Sequence, residues 1–286
     1  MKNVKRNTLL IGVLALLIAN YHINAEELGS HDAETPTTNA NRIKTLHLDD
    51  VTVTWVADNA QETFMPRTLF KDASEHLIKE LSLQDGIPSS ISTFLVESNG
   101  LRILFDTGFG KPGSQLLTGL QTLGIKPADV KYLYLTHFHG DHIGGMMKGD
   151  SVVFPNAEIH ASRVEYEAWM KMSSDKNIQQ VKTMNAYKKH LHLFEYGDTL
   201  PGNIVAMDAI GHTPGHTAYR AGRLLVIGDL IHGAALQLKH PDICASYDMD
   251  KDMAIKSRKR ILKYAKENHL VMAGMHLPGP AFQSFK

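Results

Sequence analysis

The sequence is poor in cysteine and balanced in charge, and each property excludes a class of protein. Its 286 residues include one cysteine, Cys244, so an intrachain disulfide and a zinc site built from cysteines are excluded. The formal net charge is zero, and residues 1–25 contribute three basic and no acidic side chains to it. The remainder is slightly acidic, whereas nucleic-acid binding needs a basic surface. We therefore expect no nucleic-acid partner.

Long apolar runs are also scarce. The run at residues 9–19 has eleven residues, fewer than the roughly 20 that a membrane-spanning helix needs. It follows three basic residues, and a cleavage signal ending at the small residue Ala25 comes after it. This pattern is typical of a secretory signal. We therefore predict a cleaved signal over residues 1–25, a periplasmic or secreted protein, and no stable insertion in a membrane.

The rest of the chain divides into a polar leader and one domain. Residues 26–44 are rich in threonine, asparagine and alanine, which predicts a flexible leader. Over residues 45–286, strand-like segments alternate with helical ones, without an internal repeat or a linker. Residues 98–100 read Ser-Asn-Gly, a hairpin signal, and residues 249–268 have helical apolar spacing. This order predicts one α/β or α+β domain of mixed sheets with helices outside.

The residues with the clearest chemistry follow an apolar, strand-like run in the middle of the chain. Side chains alternate along an extended segment, so His137 and His139 point the same way and can bind one ion. Gly140 permits a sharp turn that directs Asp141 and His142 towards a second point. Imidazole and carboxylate together suit zinc, with iron or manganese as alternatives.

Three later segments also place histidine or aspartate after apolar, strand-like runs. Residues 211–216 read Gly-His-Thr-Pro-Gly-His, residues 227–229 read Ile-Gly-Asp, and residues 274–276 read Gly-Met-His. Loops that follow buried strands can present such side chains to a shared cleft. The sequence therefore predicts a metal site assembled from four separate loops.

These motifs resemble those of the metallo-β-lactamase superfamily, and the resemblance covers nearly all of the chain after residue 45. Within the superfamily, residues 154–157, 211–217 and 228–231 and the helix from residue 249 look most like the methyl parathion hydrolase group. Acyl-homoserine lactone lactonases are more distant relatives with the same ligand set. The resemblance implies an αββα sandwich of two mixed β-sheets flanked by helices, with the metal cleft along one edge.

The resemblance also implies two zinc ions per chain, for which iron, manganese or cobalt could substitute. A hydroxide shared by the two ions would attack the substrate. Asp106 matches an aspartate of the superfamily that helps to hold the metal-binding loop, and His212 is not a ligand by this analogy. The implied ligands are His137, His139 and His216 for the first ion, Asp141, His142 and His276 for the second, and Asp229 as the bridge.

Asp141 and His232 are the predicted catalytic side chains. His232 stands where the lactonases have a substrate-contacting tyrosine and where the parathion hydrolases have an aliphatic residue. Its imidazole could donate a hydrogen bond to a developing oxyanion or protonate a leaving group. Phe109 and Trp169 match aromatic positions that line the leaving-group pocket in the parathion hydrolases. His160 receives no role.

The resemblance implies a hydrolase of neutral small molecules: lactones, esters or organophosphate triesters. A homodimer is compatible with the sequence. The alternatives are a β-lactamase, a glyoxalase II-like thioester hydrolase, a single-iron dioxygenase of similar fold and a binding protein that has lost turnover. A bridging aspartate such as Asp229 is absent from known β-lactamases, and the sequence offers no recognisable cationic contacts for glutathione.

Overall fold

The computed structural model describes residues 42–285, and most of its strands lie in two β-sheets. Two further pairs, each of two short strands, lie outside these sheets. The strands in chain order are β1 (Ile43–Leu48), β2 (Val51–Ala57), β3 (Thr63–Met65), β4 (Ile87–Ser89), β5 (Ser92–Ser98), β6 (Leu101–Phe105), β7 (Tyr132–Tyr134), β8 (Met147–Lys148), β9 (Ser151–Val152), β10 (Glu158–Ser162), β11 (Leu191–Phe194), β12 (Thr199–Leu200), β13 (Ile204–Asp208), β14 (Thr217–Ala221), β15 (Leu224–Gly228), β16 (Val271–Gly274) and β17 (Phe282–Ser284).

Both large sheets are mixed. The first has seven strands in the order β1-β2-β5-β6-β7-β10-β11, antiparallel as far as β6 and parallel from β6 to β11. The second has six strands in the order β12 to β17, antiparallel except for the parallel pair of β15 and β16. Parallel neighbours require crossover connections, and helices supply several of them.

Helices cover the outer face of each sheet. They are α1 (Glu75–Glu80), α2 (Leu116–Thr122), α3 (Gly140–Ile143), α4 (Arg163–Lys171), α5 (Ser174–Ala186), α6 (Ala234–Gln237) and α7 (Lys251–Glu267). Along β7 and just beyond it, Tyr134 packs in the core between the sheets, whereas Leu133 and Leu135 pack in a second core with α2, α4 and α5. This alternation follows from the pleat of a strand. The predicted sandwich of two mixed sheets flanked by helices is thereby confirmed.

Local signals placed several elements correctly. The hairpin loop consists of Asn99 and Gly100, both with positive φ, as a two-residue turn of this kind requires. The helix predicted over residues 249–268 is α7, Lys251–Glu267, which Asp250 caps by accepting a hydrogen bond from Met253 N. One of its basic residues, Arg258, is buried rather than on the solvent face.

The predicted signal at residues 1–25 and nearly all of the predicted leader lie outside the described residues. The first strand begins at Ile43, so the last two residues assigned to the leader belong to the sheet. Within residues 42–285, none of the helices combines the length and the apolar character that a membrane crossing requires.

Candidate metal centre

Loops at the ends of β7, β13, β15 and β16 bring histidines and aspartates together. His137 and His139 follow β7, and the short helix α3 carries the next acid and imidazole. Because each of these strands is hydrogen-bonded within a sheet, the first residues beyond its end have a fixed position. The clustered ligand atoms form four overlapping groups, each within 4.8 Å. Two of them share no residue: His137, His139, His212 and Asp229 form the first group, and Asp141, His142 and His276 form the second. The other two both contain His232, with His212 and Asp248 in one and with Asp229 and His276 in the other.

Distances within the two groups fit cation binding. In the first, His139 Nδ1 lies 3.0 Å from His137 Nε2 and 2.9 Å from His212 Nε2. In the second, Asp141 has one oxygen 3.3 Å from His276 Nε2 and the other 3.7 Å from the Nε2 of its neighbour His142. Imidazole nitrogens and carboxylate oxygens that converge in this way are ligands that zinc accepts.

Asp229 stands between the two groups. Its Oδ1 lies 3.1 Å from His142 Nε2, and its Oδ2 lies 3.3 Å from His212 Nε2 and 3.0 Å from His276 Nε2. The side chain is almost fully buried, and both Oδ1 and His142 Nε2 lack a hydrogen bond within the described residues. A buried acceptor without a partner is costly unless a ligand satisfies it. Oδ1 therefore faces the second group and Oδ2 faces both groups, so the carboxylate lies between them, where a bridging ligand would lie.

The structure corrects the prediction for residues 211–216. His216 was expected among the ligands, but its two ring nitrogens are both engaged by the backbone: Nδ1 donates to Ala209 O at 2.9 Å, and Nε2 accepts from Asp229 N at 3.0 Å. His212, which the analogy had set aside, occupies the place in the first group. His216 therefore positions the Asp229 backbone, and Gly228 leaves room for it, because a Cβ there would lie 2.4 Å from His216 Nε2.

The buried carboxylates of the cluster favour positive charge on the groups around them. Burial alone would lower the pKa of His142, but Asp229, Asp141 and Asp106 together raise it well above its ordinary value. The pKa of His276 is likewise raised, against the effect of burial, to about 10, chiefly by Asp229 and Asp141. In the protein without ions these carboxylates draw protons onto the imidazoles. Divalent cations would replace those protons, so the donor set fits a metal centre.

Asp106, which was predicted to help hold the metal-binding loop, is hydrogen-bonded to the segment that carries the His137 to His142 motif. Its carboxylate is fully buried and accepts hydrogen bonds from Thr136 N at 2.8 Å and Thr136 Oγ1 at 2.7 Å. It also lies 2.7 Å from His142 Nδ1, which leaves Nε2 of that ring directed at the cluster. Burial raises the pKa of Asp106, and its contacts with His142 and Thr136 oppose that rise.

A second buried carboxylate, which the sequence did not reveal, supports His212. Asp248 Oδ1 lies 3.0 Å from His212 Nδ1, and Asp248 Oδ2 accepts from Arg258 Nη2 at 3.0 Å. The guanidinium also donates to the carbonyls of Leu230, Pro241 and Ile243. Arg258 therefore joins the loop after Asp229 to the partner of His212. The helical spacing from Ala254 and Ile261 places Arg258 on the buried face of α7, and this spacing is the signal that could have distinguished it from the exposed basic residues.

Glu165 joins the two histidine-bearing loops to each other. One carboxylate oxygen accepts from Phe138 N at 2.9 Å and Trp169 Nε1 at 2.6 Å, and the other accepts from Thr213 Oγ1 and Gly215 N, both at 2.8 Å. The residue is buried in α4. Its four partners come from three different segments of the chain, so sequence spacing gave no indication of this role.

The three predicted substrate or catalytic side chains have different surroundings. Phe109 lines a cavity of about 430 Å³ next to the cluster, and Asp141 lines the same cavity. Trp169 does not line this cavity: it is buried, donates to Glu165 and packs edge-on against His139 with ring centroids 5.7 Å apart.

His232 is also absent from the cavity wall. The side chain is buried, and its Nε2 lies 3.3 Å from Asp229 Oδ2. Its ring stacks on that of His276, with centroids 5.3 Å apart, and neither of its ring nitrogens makes a hydrogen bond within the described residues. The imidazole therefore lies behind the bridging aspartate rather than in the space open to a substrate.

The cavity is lined by both apolar and polar side chains. Phe64, Met65, Ile91, Phe109 and Tyr247 supply the apolar side chains. The polar lining consists of Thr63, Ser89, Ser90, His139, Asp141, His212, Asp229 and His276.

A two-sheet sandwich with a histidine and aspartate cluster beyond its strand ends defines a class of metal-dependent hydrolases. The sequence profile of the metallo-beta-lactamase superfamily matches residues 86–276, a range that holds every member of both ligand groups. The chain therefore belongs to the metallo-beta-lactamase superfamily.

Curated relatives share parts of the chain. The uncharacterized protein YobT of Bacillus subtilis is 30% identical over 162 residues, 52% of this chain and 63% of YobT. The N-acyl homoserine lactonase AttM of Azorhizobium caulinodans is 31% identical over 137 residues, 42% of this chain and 47% of AttM. The chain thus spans less than two thirds of the length of these relatives.

Two similar solved structures extend over most of the chain. AidC, a dizinc quorum-quenching lactonase in complex with the product N-hexanoyl-L-homoserine, is 27% identical with a TM-score of 0.78, covering 87% of this chain and 95% of AidC. The hydrolase AbOPH of the beta lactamase superfamily is 27% identical with a TM-score of 0.75, covering 85% of this chain and 92% of AbOPH. The narrower resemblance to the methyl parathion hydrolase group stays a prediction.

Proposed function

We propose that this protein is a dinuclear zinc hydrolase that opens lactones and cleaves related neutral esters. The observation that carries the proposal is the position of Asp229, whose carboxylate lies between the two ligand groups and within 3.3 Å of ring nitrogens of both. The names of two relatives add support, since AidC is a dizinc lactonase and AttM is an N-acyl homoserine lactonase.

The proposed ligands revise the sequence-based assignment at one position. We assign the first ion to His137, His139 and His212, and the second to Asp141, His142 and His276, with Asp229 bridging. His216 is excluded because both of its ring nitrogens are engaged by the backbone. Bound zinc would polarise a carbonyl or phosphoryl oxygen and lower the pKa of a water molecule.

Two side chains near the ions have further roles in the proposal: one transfers a proton, and the other positions the Asp229 carboxylate. Asp141 lies on the cavity wall and its side chain is 21% exposed, so it can take a proton from the attacking water and pass it to the leaving oxygen. His232 lies behind Asp229, with its Nε2 3.3 Å from Oδ2, and would restrict the movement of that carboxylate by packing against it. In this proposal it acts as a positioning residue and does not touch the substrate.

The cavity supports a substrate with one reacting polar group and an apolar remainder. The polar lining from the cluster consists of Asp141, Asp229, His139, His212 and His276. Phe64, Met65 and Phe109 supply apolar lining. A lactone with an apolar substituent would place its ester at the ions and its substituent against these side chains, where burial of apolar surface stabilises binding.

A second candidate class is the neutral organophosphate triesters and aryl esters. The position of Phe109 on the cavity wall favours it, because an aromatic leaving group could pack against that ring. A p-nitrophenyl phosphotriester and a p-nitrophenyl ester test this class directly.

The experiment combines metal analysis with a substrate panel. Purified protein would be assayed for zinc, iron, manganese and cobalt and then tested on acyl-homoserine lactones, aryl esters, phosphotriesters and nitrocefin. We expect two zinc ions per chain and the highest kcat/KM on a lactone. Asp229→Ala should lose metal and activity together, whereas the exposed Asp242→Ala should lose neither.

Several results would contradict the proposal. They are a single iron ion per chain, full activity of Asp229→Ala with both ions lost, or turnover of nitrocefin alone. Export and a homodimer stay predictions, to be tested by N-terminal sequencing of protein from the native host and by light scattering.

A further inference from the structure

A second group of metal-ligating side chains lies on β10 and β11, away from the candidate metal centre. His160 and His192 are directly opposite each other on these parallel strands, and Glu158 precedes His160 by two residues. Alternation along a strand places Glu158 and His160 on the same face. None of the three lines the cavity beside Asp229.

The three side chains converge through one carboxylate oxygen. Glu158 Oε2 lies 3.8 Å from His160 Nε2 and 3.9 Å from His192 Nε2. The two imidazole rings are stacked, with centroids 5.1 Å apart and planes inclined by 17°. Because this oxygen is nearly equidistant from the two ring nitrogens, one ion could contact all three atoms.

His160 carries a buried nitrogen without a partner. Its side chain is 7% exposed, and Nε2 makes no hydrogen bond within residues 42–285. The ring is held by aromatic contacts, with Tyr134 at 4.7 Å and Tyr132 at 6.1 Å between centroids. A buried nitrogen without a hydrogen bond destabilises the folded protein by about 1–3 kcal/mol. An ion bound to this imidazole would remove that cost.

We propose that Glu158, His160 and His192 bind a divalent transition-metal ion such as Zn²⁺, separate from the ions of the hydrolytic centre. Tetrahedral zinc has bonds of about 2.0–2.2 Å to nitrogen and oxygen, so its ligand atoms are roughly 3.3–3.5 Å apart. The two nitrogen-to-oxygen distances need to shorten by about half an ångström. The two stacked rings, whose centroids are 5.1 Å apart, must also tilt towards each other to bring their Nε2 atoms into this range. Glu158 and His192 can supply this movement, because their side chains are 47% and 53% exposed.

The protonation state of His160 agrees with this role. Burial, and after it the neighbouring His192, lowers the pKa of His160 to about 4. The ring is therefore neutral at pH 7, and a neutral imidazole is the form that binds a metal. The competing arrangement is an ordinary ion pair between Glu158 and a protonated His192, which would hold no metal.

The test uses the full-length protein, stripped of metal with a chelator and then titrated with Zn²⁺ alone. We expect wild type to bind one more ion per chain than His192→Gln or Glu158→Gln, or to bind it at least about tenfold more tightly. Hydrolysis at saturating zinc should be the same in all three proteins. His190→Gln is the matched control, because this exposed histidine next to β11 should bind as wild type does.

The His160 ring provides an independent measurement. Its ¹⁵N resonances should shift when the additional ion binds in wild type and should not shift in His192→Gln. Equal zinc stoichiometry and affinity in wild type, His192→Gln and Glu158→Gln would overturn the proposal in favour of the ion pair. An equal loss in His190→Gln would also overturn it, because it would show non-specific binding to surface histidines.

Discussion

His212 and His216 stand four residues apart in one motif, and substituting each by alanine tests the metal centre most directly. His212 Nε2 faces His139 and Asp229 at 2.9 and 3.3 Å, whereas both nitrogens of His216 face the backbone. The two substitutions should therefore have different consequences. His212→Ala should affect the metal, and His216→Ala should affect folding stability.

For His216→Ala the magnitude follows from two buried hydrogen bonds. Removing the ring leaves Ala209 O and Asp229 N without their partners. Each unsatisfied group costs about 1–3 kcal/mol, so the loss is about 4 kcal/mol in the free energy of unfolding. For a domain of this size that corresponds to a fall in Tm of roughly 8–16 °C.

For His212→Ala the expected loss is in zinc affinity. The first group would keep His137, His139 and Asp229. Its affinity for zinc should fall at least about 100-fold, because losing a ligand costs more than losing a side chain that only hydrogen-bonds to a ligand. The stability of the metal-free protein should fall by about 1–3 kcal/mol, because Asp248 Oδ1 loses its partner while Oδ2 keeps its bond to Arg258.

Two measurements separate the variants. Zinc affinity would be measured by titration with a competing chelator, and stability by thermal unfolding in excess chelator. We expect His216→Ala to change zinc affinity by no more than about tenfold. The reverse pattern, in which His216→Ala loses an ion with little change in Tm while His212→Ala keeps both ions, would refute the assignment.

Three further predictions concern residues around the centre. Glu165→Gln should lower the free energy of unfolding by about 3–5 kcal/mol, because an amide cannot accept all four hydrogen bonds; denaturant unfolding checks this against the exposed Glu167→Gln. Arg258→Lys should cost about 3–5 kcal/mol by leaving Asp248 partly unpaired, and a value near that of the exposed Arg260→Lys would contradict it. Metal-free wild type should lose stability as the pH falls from about 6.5 to about 4. In this range His160 is protonated in the unfolded chain but stays neutral in the folded protein, where its pKa is lowered to about 4. The pH dependence of stability should therefore be weaker in His160→Gln.

The sequence by itself determined the local elements and most of the candidate ligands. The Asn99-Gly100 turn, helix α7 and the alternation of apolar residues along β7 all follow from interactions between near neighbours in the chain. The His137 to His142 motif was recognisable for the same reason. Its spacing, together with the strand before it and Gly140 within it, fixes the directions of its side chains over a few residues.

Tertiary structure decided which histidine of the later motif joins the cluster. His216 directly precedes β14, where backbone hydrogen bonds between Ala209 N and His216 O and between Thr217 N and Thr136 O fix its position and turn its ring onto the backbone. His212 lies earlier in the loop and can reach His139. A spacing of four residues is compatible with either outcome, and the neighbouring strands distinguish them.

The supporting network was likewise beyond the sequence. Apart from the contact of Glu165 with Trp169 in the same helix, the side-chain partners of Glu165, Asp248 and Arg258 named above lie 10 to 50 residues away. Helical spacing places Arg258 on the buried face of α7 but does not identify its partner. Local periodicity records which face of an element is buried on average. Local periodicity does not show which polar side chain on that face pairs with a buried carboxylate. That pairing depends on how separate elements pack against one another.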